Sequence, residues 1–195
     1  RQVLGLSCER RIVGYVGTFK TPFAGGKGVE ELIAAFPAIR QSVPDALLLI
    51  VGIDAKHIST VTDLVESAGL EHDDVRIRGH VKQVDVVRYL RAADVLVMNY
   101  PWSEHHAYQM SSMKMFEYMA ARRPIVASRL PSIRGILNET NAFLIAPDDQ
   151  GELVRAATRA LVDDEVARAR AEQARADVED FTWTRRAGEI LDVLS

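Results

Sequence analysis

Six short apolar runs, each followed by a stretch with helical patterning, constrain this chain more than any other feature. The most telling is Ala46 to Val51 (ALLLIV), a continuous run with no alternation. A strand open to water on one face alternates apolar and polar residues, whereas a strand covered on both faces reads as an unbroken apolar segment. Further strands are expected at Arg11–Val16, Val75–Arg78, Val95–Met98, Ile125–Ala127 and Ala142–Ile145. Helical patterning predicts helices at about Val29–Arg40, with Val29, Leu32, Ile33, Phe36 and Ile39 on the buried face, and at Ile58–Ala68, ending at Gly69 in the C′ position. Further helices are expected at Val84–Arg91, from Ser111 to just before Pro124, at Asp149–Val162 and Asp164–Val178, and from Thr184 onward. Strands alternating with helices predict an α/β fold: a Rossmann-like, doubly wound parallel sheet of about six strands.

With 195 residues, 48% of them hydrophobic, the chain can bury one substantial core, so residues 1–195 read as a single domain. The net charge is −3 and no long basic run occurs, which argues against a nucleic-acid partner. The longest aliphatic run is far too short to be a transmembrane segment. Cys8 is the only cysteine, which excludes an internal disulfide and points to a reducing cytoplasm.

Ligands of such sheets sit outside the carboxyl ends of the strands, where the winding direction changes. The loop from Gly17 to Gly28 (GTFKTPFAGGKG) is therefore a candidate contact region. It is neither a P-loop, since Gly28 follows Lys27, nor a dinucleotide fingerprint, since the G-x-G start is missing. It does deliver Lys27 to a helix start, a position suited either to a phosphate or to plain solvent exposure. The stretch from Ser111 to Ser128 (SSMKMFEYMAARRPIVAS) predicts a helix with Ser111 and Ser112 as N-cap candidates and Phe116, Met119 and Ala120 on the core face. Lys114 and Glu117 fall on a different face, three apart, near a helix start that carries a partial charge of about +0.5. Free N–H groups, a cation and a carboxylate there suit an anion beside a polyol. The alternative is an amphipathic helix with both charges solvated. His105 and His106 are adjacent and lack a carboxylate at ligand spacing, and no D-x-D pair exists, so no metal is expected. Tyr100, Trp102 and Tyr108 are either sugar-stacking rings or loop anchors.

Taken in order, these segments resemble the C-terminal half of a GT-B fold glycosyltransferase, most similar to the family-4 (group 1) retaining enzymes. The resemblance is carried by the Gly17 loop ending in Lys27-Gly28, Leu48–Gly52, Val75–Val81, Tyr89–Val97, Ser111–Ser128, Pro131–Arg134, Ala142–Asp149 and Phe181–Trp183. It implies a donor-binding domain for a nucleoside-diphosphate sugar that acts without a metal or other cofactor. It implies that Lys27, with Gly17 and Thr18 in the same loop, meets the donor's phosphates. Arg78, His80, Val81 and Gln83 would border the base, Val81 most closely. Backbone at Ser111, Ser112 and Met113 would meet the diphosphate, with Lys114 beside it. Glu117 matches the second glutamate of the family's E-x7-E motif and would hold the ribose. Two positions depart from the family: the first glutamate falls on Gln109, and the family's arginine after the first strand falls on Thr18. Glu104 could stand in for the former, and Lys20 or Lys114 for the latter. No catalytic residue is assignable in this chain.

A GT-B enzyme also needs an N-terminal acceptor domain, so the chain is expected to be a donor-binding half, inactive alone. Its last segment, 181–195, is expected to pack toward that missing domain. A glycan or lipid-linked acceptor fits the resemblance, as does a place at the inner face of a membrane through the rest of the enzyme. Two other readings stay open: a sugar-nucleotide epimerase-like GT-B enzyme, and a non-catalytic binding module.

Overall fold

The computed structural model describes residues 1–21 and 25–194. Its main sheet has six parallel strands: β1 (Ile12–Val16), β4 (Leu47–Ile53), β5 (Val75–Gly79), β6 (Val95–Met98), β7 (Ile125–Ser128) and β8 (Phe143–Ile145). Two very short strands, β2 (Lys20–Thr21) and β3 (Gly25–Gly26), pair antiparallel inside the first loop. The strand order is β5-β4-β1-β6-β7-β8. Starting from β1 the chain winds outward through β4 and β5, then returns to β1's other side and winds outward again. The direction thus reverses between β1 and β6, and a crevice opens outside their carboxyl ends.

Both faces of the sheet are covered, which is why β4 and β6 read as unbroken apolar runs, while the edge strand β5 carries Arg76 and Arg78 and is only half-buried. Side chains alternate sides along each strand. Val13 and Tyr15 of β1 and Leu48 and Ile50 of β4 join one buried cluster with α1 (Val29–Ser42), α2 (Ile58–Ser67) and α6 (Gln150–Val162). Ile12, Val16, Leu47, Leu49 and Val51 join the other, with α3 (Gln83–Ala92) and α4 (Met113–Ala120). The α7 helix (Asp164–Asp177) lays a stripe of alanines, Ala167, Ala171 and Ala174, along the fold and exposes its charges. A four-residue helix, α5 (Pro131–Arg134), follows β7.

Each predicted strand is present, with bounds shifted by a residue or two. The helices agree nearly as closely, α4 stopping at Ala120; α8 runs Trp183–Leu194, with Trp183, Leu191 and Val193 open to solvent. Its approach segment is anchored by Phe181, whose ring centre lies 5.4 Å from that of Phe116.

One expectation about packing needs correction. The core face of α4 is formed by Met115, Tyr118 and Met119, while Phe116 is half-buried against Phe181 and Ala120 is exposed. The reason is polar as well as apolar. The buried Tyr118 hydroxyl accepts from the Val16 N–H at 2.9 Å and donates to the Val16 carbonyl at 3.2 Å. That pair of bonds ties α4 to the carboxyl end of β1 and so sets the helix rotation.

Candidate functional site

Three segments converge where β1 and β6 end: the first loop, the segment after β6, and the start of α4. The chain leaves β1 at Gly17, whose N–H bonds the Val51 carbonyl of β4 at 2.8 Å. The Tyr15 hydroxyl donates to the Thr18 carbonyl at 2.8 Å, which holds the loop down on the strand it leaves. The loop then passes through the β2–β3 pair and brings Lys27 back, its Nζ donating to the Thr18 Oγ1 at 2.9 Å. Gly28 caps α1 with φ of 87°, a region open chiefly to glycine. A Cβ there would fall 2.2 Å from the Asn99 carbonyl oxygen. The Asn99 side-chain amide donates to the Gly28 carbonyl at 2.8 Å, locking the first loop to the segment after β6.

Lys114 lies at the centre of this arrangement. It is 8% exposed, and its buried Nζ has no hydrogen-bond partner. The ammonium sits 3.9 Å from the centre of the Tyr15 ring and 5.2 Å from that of Tyr100, so it faces two π clouds. It also presses against the first loop, where a Cβ at Gly17 would lie 2.8 Å from Nζ. Burial, then repulsion from Lys27, holds the Lys114 pKa well below the ordinary lysine value, with Glu117 acting weakly the other way. Burial lowers the Lys27 pKa as well. Burial raises the pKa of Tyr15 and of Tyr100, so both phenols are neutral and supply no counter-charge. The site holds two lysines that make no ion pair among the described residues, at the N-terminus of a helix whose first N–H groups have no intrahelical acceptor.

Other predicted residues border this centre. Ser112 is the N-cap of α4 by position, but it makes no side-chain cap bond; its buried hydroxyl meets the Tyr100 hydroxyl at 3.1 Å. Ser111 and Met113 are exposed at the crevice rim. Glu117, one turn into α4, accepts from the Gln83 side-chain amide at 3.2 Å, so residues from α3 and α4 meet as expected of a wall lined by both. The exit of β5 carries Arg78 and Val81, both half-buried, and the exposed His80, which bonds Asp54 at 2.8 Å. The two candidates for the missing arginine differ sharply: Lys20 is paired with Glu30 at 2.8 Å, whereas Lys114 is unpaired. Tyr100 is buried against Ser112 and His106, which rules out sugar stacking for it. Trp102 and Tyr108 are exposed, edge to face at 6.2 Å.

The segment His105–Gln109 forms a single π-helical turn, a rare geometry. It buries His106, whose Nδ1 bonds the Pro101 carbonyl at 3.0 Å, and leaves Glu104 and Gln109 exposed. Among the described residues no group of three potential metal ligands occurs. The residues that sequence reasoning missed are Tyr15, Asn99 and Tyr118, which build the cage and its walls. Their signal was faint: Tyr15 is a single aromatic inside an apolar strand, Asn99 an amide just beyond one, and Tyr118 one apolar position among several in α4.

Fold and site together define a doubly wound α/β domain with Lys27 and Lys114 at the crevice of its switch point. The chain belongs to the group 1 glycosyltransferases, whose family profile matches residues 10–163. It is 28% identical over 190 residues to a phosphatidyl-myo-inositol mannosyltransferase of Mycolicibacterium smegmatis, covering 97% of this chain and 46% of that protein. Its fold is similar to that of a sucrose-phosphate synthase from Thermosynechococcus elongatus, with a TM-score of 0.78 and 25% identity, covering 100% of this chain and 48% of the other. It is also similar to Anabaena HepE, solved in complex with UDP-glucose, with a TM-score of 0.79 and 21% identity over 100% of this chain and 50% of that one. The chain thus spans about half the length of the relatives it matches.

Proposed function

We propose that this chain is the donor-binding domain of a retaining, metal-independent glycosyltransferase, and that it holds a nucleoside-diphosphate sugar between β1 and α4. The observation that carries this reading is the buried, unpartnered ammonium of Lys114 beside Lys27 and the α4 N-terminus. A desolvated cation of this kind is costly unless an anion meets it. A diphosphate supplies that anion. Lys27, whose ammonium now rests on a neutral hydroxyl, turns to the same group. Glu117 then holds the ribose hydroxyls, and the base lies along Arg78, His80, Val81 and Gln83.

The chemistry follows from the charges. Transfer breaks the bond between the anomeric carbon and the β-phosphate oxygen, so negative charge grows on the departing nucleoside diphosphate. Fixed cations and helix N–H groups aimed at that oxygen stabilise the growth without reorganising. Lys114 takes the part that an arginine after the first strand plays in the family, which accounts for Thr18 at that position. Transfer itself requires an acceptor domain facing the crevice, and the exposed apolar side chains of α8 are suited to packing toward it.

The reading is tested by titrating UDP, GDP and ADP into the protein with EDTA present. Binding that survives EDTA and is lost in Lys114→Met supports it. Binding that needs a divalent ion, or is unchanged in that variant, overturns it.

A further inference from the structure

The opposite end of the sheet carries a second concentration of positive charge. A cavity of about 710 Å³ opens beneath the amino ends of β1, β6 and β7, between the C-terminal end of α4 and the length of α7. Its volume lies within the range usual for small-molecule sites, roughly 300–1,000 Å³. Six arginines line it, against the carboxylates of Asp94, Asp164 and Glu172, in a chain whose net charge is −3.

The pairing within the cavity leaves part of that charge unmatched. Arg11 pairs with Asp164 at 3.5 Å, Arg122 with Glu172 at 2.6 Å and Arg175 with Glu179 at 2.9 Å. Asp94 is bound to Arg1 and to the Ile12 N–H, each at 2.6 Å. Arg91, Arg123 and Arg168 have no carboxylate within ion-pair distance among the described residues. Arg123 donates to the Arg91 carbonyl at 2.6 Å, yet its Nε is buried with no partner. Burial lowers the Arg123 pKa most; Asp94 acts the other way, and Arg1 and Arg91 add like-charge repulsion.

The backbone adds an independent mark. Arg122 occupies the C′ position of α4 with φ of 57°, where glycine is the usual residue. A bulky residue held there against its preference places a guanidinium at the cavity wall. Cations near a helix C-terminus complement its dipole, but that dipole amounts to only about half a charge. It does not call for three unmatched guanidiniums.

We infer that this cavity binds a compound carrying two or three clustered phosphate groups, gripped by Arg91, Arg123 and Arg168. Guanidinium forks match phosphate oxygens bidentately, and three of them lining one cavity, from α3, the segment after α4 and α7, suit a multiply charged phosphate better than a single carboxylate. The phosphates belong either to a free small molecule or to a lipid headgroup.

The test uses tripolyphosphate titrated into a Lys27→Ala/Lys114→Met background, which removes the crevice as a competing anion site. A parallel arm measures co-sedimentation with phosphatidylcholine vesicles with and without phosphatidylinositol bisphosphate. The expected result is saturable, salt-sensitive binding in at least one arm that weakens tenfold or more in Arg91→Gln/Arg168→Gln. Because neither arginine makes an ion pair among the described residues, that variant keeps or raises the melting temperature. Tripolyphosphate binding identifies a free ligand, and vesicle binding alone identifies a headgroup. No binding in either arm, or binding unchanged in the arginine variant, overturns the inference.

Discussion

The Lys114 ammonium stands 3.9 Å from the centre of the Tyr15 ring, at the end of the sheet's first strand, with no hydrogen-bond acceptor. A cation–π contact is worth about 2 kcal/mol when desolvated, far less than full hydration of an ammonium. The empty-handed cation is therefore a standing cost in the folded protein, offset when an anion binds.

Lys114→Met should accordingly stabilise the protein while abolishing anion binding. The expected gain at neutral pH is about 1–3 kcal/mol, the usual cost of a buried unsatisfied polar group. The sign follows from linkage. The Lys114 pKa is lowered on folding, so the native state binds fewer protons than the unfolded one below the ordinary value of 10.5. The penalty is absent above that pH, grows as pH falls, and levels off below the depressed native value. Denaturant melts of both proteins should show the variant's advantage shrinking as pH is raised toward the ordinary lysine value. A wild-type protein more stable than the variant at neutral pH contradicts the assignment.

Tyr118→Phe should destabilise the fold by about 1–3 kcal/mol, because the buried Val16 N–H loses its acceptor. At this chain length each kcal/mol moves the melting temperature by roughly 2–4 °C. A calorimetric scan showing no shift would remove Tyr118 as the tie between α4 and β1.

Gly28→Ala should lower stability and weaken nucleotide binding together. A Cβ at Gly28 cannot coexist with the Asn99 carbonyl 2.2 Å away, so either the loop bearing Lys27 or the segment after β6 must move. Thermal melts and a nucleotide titration on the same sample check it; loss of one property without the other contradicts the shared origin.

Glu117→Ala should reduce affinity for a nucleoside diphosphate about 10–100-fold, on the scale of a charge-assisted hydrogen bond of about 1.5–3 kcal/mol. The same variant should lose most of its preference for ribose over 2′-deoxyribose, since the carboxylate is assigned to the sugar hydroxyls. Comparing UDP with 2′-deoxy-UDP in both proteins reads this directly; an unchanged ratio places Glu117 elsewhere.

Much of the fold was legible because buried parallel strands leave a plain trace. The run within Leu47–Ile53 has no polar face to hide. The β2–β3 pair was not legible, since two residues opposite two glycines carry no period. Nor was the π turn at His105–Gln109, whose hydrogen bonding has no side-chain signature. The rotation of α4 was misjudged because Phe116 and Met115 are equally apolar, and only the Tyr118 bonds to Val16 decide between the faces. Lys114 was picked out as a charge near a helix start, but its burial depends on Tyr15, Tyr100 and Gly17 arriving from distant positions. The arginine cavity was invisible for the same reason: its walls come from residues 11, 91, 122 and 168.

The central claim is that the unpartnered Lys114 is the anion receptor of a nucleotide-sugar crevice. Calorimetric titration of UDP, GDP and ADP in EDTA, run in buffers of differing ionisation enthalpy, measures affinity and proton uptake at once. The account predicts metal-free binding of at least one nucleotide, with uptake of protons at alkaline pH as Lys114 regains its charge, both lost in Lys114→Met. Binding in EDTA with no proton uptake at any pH and full affinity in Lys114→Met would contradict it.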